Sequence, residues 1–178
     1  DIIEISASEP FHKWEPGIPV AEISDDELCK MVGHHELSAV QGKVAGIHNG
    51  AHFFTIGQRK GINIGGHKEP LFVIGTDVNR NILYVGEGQS HPGLYRKGLF
   101  VRKEEIHWIR NDLAMKKGEN REYMVRIRYR QPLQKAWLYM RDNGMYIIFN
   151  KLQRGIAAGQ FAAWYEGDEV IGSGVIDR

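Results

Sequence analysis

Arg59 and Lys60 stand side by side in Gly57-Gln-Arg-Lys-Gly61, inside a run, 53–66, that also holds Gly65 and Gly66. A guanidinium beside an ammonium attracts phosphate, and glycine lets a backbone come close to a ligand. Gln58, between them and the first glycine, is read as an amide free to hydrogen-bond a base or a sugar. The apolar residues Phe53 to Ile56 predict a strand leading into this loop. The pattern is not the Gly-x-x-x-x-Gly-Lys-Ser/Thr of a nucleotide phosphate loop, and no long helix comes after it to lend its dipole. The loop is a poor ATP site and a better grip for an RNA backbone; a tight connection with surface charges would use the same residues.

A second basic element lies in Tyr123 to Arg130. Read as a strand, it turns Tyr123, Val125, Ile127 and Tyr129 to one face and Met124, Arg126, Arg128 and Arg130 to the other. Three guanidinium groups about 7 Å apart along one face repel unless solvent or anions intervene. That spacing is near the phosphate repeat of a nucleic-acid strand, and arginine also stacks on bases. A solvated barrel exterior accounts for the same pattern. Gln160, after Ala157-Ala-Gly159, comes just past a glycine turn and is placed to present its amide at a surface. Phe161, Trp164 and Tyr165 are expected in the core or rim of a barrel.

Other chemistries find little support. The histidines, His34 and His35 among them, are read as surface or structural, and no Cys-x2-Cys pair exists. Cys29 sits beside Asp26 and Glu27, a poor setting for a thiolate nucleophile, and is read as structural. One cysteine excludes an internal disulfide and fits a reducing cytosol. No apolar run approaches the roughly 20 residues that cross a bilayer. The net charge of +1 conceals an uneven split: residues 1–41 sum to −7 and residues 42–178 to +8. An anion-binding body beside an acidic segment outside the contact has this signature.

The elements that must position these residues are mostly strands. Asp1 to Ile5 reads as a strand without a leading turn, so the chain is taken as part of something longer. Pro10, Pro16, Gly17 and Pro19 break regular structure in residues 6–22. Ser24-Asp-Asp-Glu27 has the form of a capping box and predicts a short helix from about Asp25 to Val32, stopped by Gly33. Beyond residue 42 the pattern predicts strands at 70–75 and 82–85 around a polar turn, then at 98–101, 106–109, 123–129, 135–140, 145–149, 161–165 and 169–176. Many short strands with few helices predict a β-barrel or sandwich.

Thr55-Ile-Gly-Gln-Arg-Lys-Gly61 through Gly65-Gly66, then Gly86-Glu-Gly88, His91-Pro92, Leu94-Tyr95, Arg128-Tyr-Arg-Gln131 and Gly159-Gln160, together resemble the C-terminal half of tRNA-specific 2-thiouridylases. The resemblance covers about residues 42–178. It implies a mainly β chain: a small central β-rich domain over 1–88, with an acidic, partly helical insertion at about 6–41, and a translation-factor-like C-terminal β-barrel over 89–178. It implies tRNA as partner, with Arg128, Tyr129 and Gln160 touching it and Gln58, Arg59 and Lys60 helping to seat it. Members of the family thiolate the wobble uridine using ATP, Mg²⁺, a sulfur-donor protein and a cysteine persulfide. The family's Ser-Gly-Gly-x-Asp-Ser motif and its two catalytic cysteines are absent from these residues, so this chain alone is expected to be inactive and to hold no cofactor. A cytoplasmic monomer is the expected setting. A non-catalytic, translation-factor-like RNA- or protein-binding barrel is the rival reading, and a flavin-binding barrel enzyme a weaker one.

Overall fold

The computed structural model describes residues 1–11 and 23–178. The expected breakers Pro16, Gly17 and Pro19 lie outside the described residues. The chain divides into two compact units, Asp1–Lys13 with His35–Tyr95, and Trp14–His34 with Arg96–Arg178. The boundary thus falls after Tyr95 rather than at 88/89, and the predicted helix belongs with the second unit.

The first unit is a four-stranded sheet made of β1 (Ile2–Ile5), β2 (Gly42–Gly46), β3 (Leu71–Asp77) and β4 (Ile82–Glu87), in the order β2-β1-β4-β3. β3 and β4 form the predicted antiparallel hairpin, and β1 lies parallel to β4. Over β1, β3 and β4 both faces are covered, which is why these strands read as largely apolar runs, whereas the edge strand β2 leaves Lys43 and Val44 exposed. Ile2, Val73, Leu83 and Val85 pack on one side with Ile62 from the glycine loop; Ile3, Ile5, Phe72, Ile74 and Leu94 pack on the other.

His91 locks the second of these faces. It is 2% exposed, its Nε2 donates to Ile5 O at 3.0 Å, and its Nδ1 accepts from Gly93 N at 3.2 Å. Burial pushes its basicity down, so the ring is held neutral with the proton on Nε2. Gly86 makes room for it: a Cβ there would lie 2.5 Å from His91 Cδ2.

The second unit is a closed six-stranded barrel. Its strands are β5 (Tyr95–Trp108), β6 (Asn120–Arg126), β7 (Gln134–Met140), β8 (Gly144–Arg154), β9 (Phe161–Glu166) and β10 (Glu169–Ile176), in the order β10-β5-β8-β7-β6-β9. Alternate residues fill the interior, among them Val125, Leu138, Ile147, Phe149, Ala162 and Trp164. The two strands expected at 98–101 and 106–109 are one 14-residue strand, β5. The polar Arg102-Lys-Glu-Glu105 stretch lies on an exposed part of the same ladder rather than in a turn.

The helix α1 (Asp25–Met31) forms as its capping box dictates: Ser24 Oγ accepts from Glu27 N at 3.3 Å and Ser24 N donates to Glu27 Oε2 at 3.1 Å. Leu28 and Val32 pack on the outside of the barrel against Phe100, Tyr139, Tyr146 and Ile148. The helix is tied at both ends, by Arg141 to Asp25 at 2.9 Å and by the buried Arg96 to Val32 O at 2.5 Å.

Candidate nucleic-acid interface

The basic strand expected at 123–130 ends early. β6 stops at Arg126, and residues 127–131 turn. Tyr129, expected on the same strand face as Tyr123 and Val125, lies beyond the strand and is 90% exposed, whereas Tyr123 and Val125 are buried. The three arginines do not share one strand face: Arg126 closes the strand, while Arg128 and Arg130 ride on the turn.

Polar contacts, two of them long-range, hold that turn. Gln131 Oε1 accepts from Ile127 N at 3.2 Å, and Gln131 Nε2 donates to Gln153 Oε1 at 2.6 Å. Gln153, 3% exposed, passes the chain on from its Nε2 to Lys151 O at 2.8 Å. Arg126 Nη1 donates to Tyr129 O at 3.0 Å, and Arg128 Nη2 donates to Gly155 O at 2.9 Å. Tyr129 therefore projects from a braced backbone.

Beside the turn lies a groove of about 500 Å³ lined by Arg126, Arg128, Tyr129, Gln160, Phe161 and Tyr165, with Ile127 and Ala163. Its geometry comes from strand register. Arg126 on β6 pairs with Ala163 on β9, whose small side chain leaves a floor between Tyr165 and Phe161. The Arg126 guanidinium lies 4.8 Å from the centre of the Tyr165 ring. Gln160 is fixed by Ile176 N donating to its carbonyl at 2.7 Å. Its side-chain Oε1 is buried and has no hydrogen-bond partner among the described residues.

The electrostatics favour an anion. No carboxylate among the described residues pairs with Arg126, Arg128 or Arg130. Desolvation of its guanidinium end, and then the charge of Arg154, push Arg128 below its usual basicity, although the residue as a whole is exposed. A cation disfavoured in this way is relieved by an incoming phosphate oxygen. Arg128, Tyr129 and Gln160, picked out from sequence, thus converge in one groove. Phe161, Tyr165 and the Gln131–Gln153 pair were missed as contributors, whereas Arg126 was read as part of the basic element: Phe161, assigned to core or rim, is 65% exposed on the outer face of β9.

The glycine loop belongs to the first unit. Phe53 to Ile56 is not a strand; a 3-10 turn, Ala51–Phe53, opens the loop. The loop is sewn to β3, with Gly57 N donating to Val73 O at 2.8 Å and Val73 N to Gln58 O at 2.9 Å. Gln58 is not a free amide: its Oε1 accepts from Thr55 N at 3.1 Å and its Nε2 donates to Lys60 O at 2.8 Å. Gly57 and Gly61 supply positive φ, 86° and 90°, for the reversal. Ile62 anchors the underside in the sheet core, and Arg59 and Lys60 are left exposed. Further along, His67 donates to Glu4 Oε2 at 3.0 Å while its other nitrogen faces Gly65 O at 3.2 Å. The Glu4 carboxylate raises the basicity of this ring, and the doubly protonated form satisfies both contacts.

Other sites do not form among the described residues. His48 and His52 are occupied separately, His48 on Gly50 N and Asn81 O and His52 against Phe53, and no group of three metal-capable side chains gathers. The residues present do not fit ATP. The one α-helix among those described carries Asp25, Asp26 and Glu27 in its first turn, and Glu27 already caps it. Cys29 is exposed, 3.3 Å from the Tyr146 hydroxyl. No helix among the described residues is long and apolar enough to cross a membrane.

A sheet unit and a closed barrel, each presenting cations without acidic partners among the described residues, define a two-unit β protein suited to a polyanion. Two family descriptions match it: "tRNA methyl transferase PRC-barrel domain" over residues 25–87 and "Aminomethyltransferase beta-barrel domain" over residues 99–176. A Flavobacterium johnsoniae protein named tRNA-specific 2-thiouridylase MnmA is 50% identical over 177 residues, 98% of this chain and 44% of that protein. Proteins of the same name from Christiangramia forsetii and Pseudomonas aeruginosa are 52% and 37% identical over 151 and 146 residues. These alignments cover 85% and 80% of this chain and 38% of each relative. The chain spans less than half the length of these curated relatives. It belongs to the tRNA-specific 2-thiouridylase family.

Proposed function

We propose that this chain is the tRNA-holding part of a wobble-uridine 2-thiolating enzyme. The observation that carries the reading is the acid-free groove where Arg128, Tyr129 and Gln160 meet. Arg128 takes a backbone phosphate, Tyr129 offers a ring, and Gln160 Oε1 accepts from a base or ribose donor. In the first unit, Arg59 and Lys60 supply further phosphate contacts, and Gln58 shapes the loop that presents them.

The contribution to catalysis is positional. Holding a substrate so that one base reaches a reactive site converts an encounter into an effectively intramolecular step, worth up to about 10⁵–10⁸ M in effective concentration. The chemistry itself, which needs ATP, Mg²⁺, a sulfur-donor protein and a cysteine persulfide, belongs to the part of the family's length that this chain does not span. On this reading the chain is inactive alone, and the whole enzyme works as a monomer in the cytoplasm.

The test is tRNA binding by this chain and by its Arg128→Ala variant across a salt series. Loss of one phosphate contact lowers affinity and makes the slope of log K against log salt shallower by about 0.7–0.9. Unchanged affinity and slope would remove Arg128 from the contact.

A further inference from the structure

We infer that the barrel groove takes an unstacked nucleobase, so that the RNA bound there is a single-stranded loop rather than a helix. The inference rests on the tRNA-holding reading and narrows it.

Three observations carry it. Tyr129 and Phe161 are 90% and 65% exposed, line the same groove, and have no aromatic or cationic partner on either ring among the described residues. Large exposed rings on an otherwise well-packed barrel are free stacking platforms, and every base has a face that fits them. Tyr165, the third aromatic of the groove, is covered by Arg126 and is not such a platform. Second, the Tyr129 platform is braced in advance. Arg126 holds its carbonyl and the Gln131–Gln153 relay holds its turn, so stacking costs little ordering of the backbone. Third, Gln160 Oε1 is a buried acceptor without a donor at the edge of the same groove. Such an atom is satisfied by an arriving N–H or O–H, which a base edge or a 2′-hydroxyl provides. A base paired inside an A-form helix offers neither face to Tyr129 or Phe161, because both are occupied by its neighbours.

The experiment uses the 178-residue chain and a fluorescein-labelled heptaribonucleotide, free or annealed to its complement. The expected result is tighter binding of the single strand, by about tenfold or more. Phe161→Ala and Tyr129→Ala should each weaken single-strand binding by about five- to 150-fold, leaving duplex binding and the salt slope unchanged. Both side chains are solvent-facing, and circular dichroism melts of the two variants serve as the check on folding. Arg128→Ala should weaken both RNAs together. Equal affinity for the two RNAs, or alanine variants with wild-type single-strand affinity, would overturn the base-stacking site while an Arg128→Ala effect kept the tRNA-holding reading intact. Failure of both RNAs to bind would overturn both.

Discussion

Gln153→Met separates the brace from the contact. Methionine keeps the length and nearly the volume of glutamine, so the variant opens no sizeable cavity and removes only the amide. Two partners are lost: Gln131 Nε2, which donates to Gln153 at 2.6 Å, and Lys151 O, which accepts from it at 2.8 Å. A buried polar group left unpaired costs about 1–3 kcal/mol; Gln131 is only half-buried and can reach water, so the lower half of that range applies. Unfolding by urea should therefore show a loss of about 1–2 kcal/mol. The same loss loosens the 127–131 turn. Each 1.4 kcal/mol taken from the held conformation reduces the binding-competent fraction by about tenfold, so tRNA affinity should fall by up to that factor. The salt slope should not change, since no cation has been removed. A variant that loses stability as expected but binds tRNA like wild type would refute the claim that the relay positions the turn. A shallower slope would show that the substitution acts on charge instead.

Two further outcomes concern the first unit. Gly86→Ala drives a methyl group into the His91 ring, which Phe11 confines edge-on at 5.1 Å, and should destabilise the protein by about 1–3 kcal/mol in a urea melt; a change under about 0.5 kcal/mol, typical of a surface substitution, would contradict the lock. His67 has its pKa raised by Glu4, so the stability it adds is present below the ordinary value of 6.5 and fades as pH rises through the raised one. His91, held neutral, acts oppositely, costing stability as pH falls below 6.5. Urea midpoints above pH 6.5 should thus decline in wild type and less so in His67→Gln; identical declines would remove the Glu4–His67 contact as the cause.

What sequence could reveal depended on how far apart the interacting residues lie. The α1 capping box and the β3–β4 hairpin are set by neighbours three to 16 positions apart, and both form as expected. The end of β6 is different. Alternation carried the strand on through Tyr129, but the chain leaves the ladder at Arg126, and the turn beyond it depends on an amide pair 22 positions apart in sequence. Gln58 failed for the opposite reason: its amide closes a loop two and three residues away, and its type alone did not show that both ends were in use. β5 read as two strands because a charged stretch on the exposed side of a barrel resembles a turn. Phe161 was assigned by residue type to core or rim, whereas its place opposite the end of β6, beside the small Ala163, leaves it in solvent.

The central claim is that cations without acidic partners hold a folded RNA. Its most direct measurement is the affinity of this chain for tRNA over a range of potassium chloride concentrations. Engagement of Arg59, Lys60 and Arg128 with three phosphates predicts a slope of about −2 to −3 in log K against log salt. Salt-independent binding, or no binding at low salt, would contradict the account.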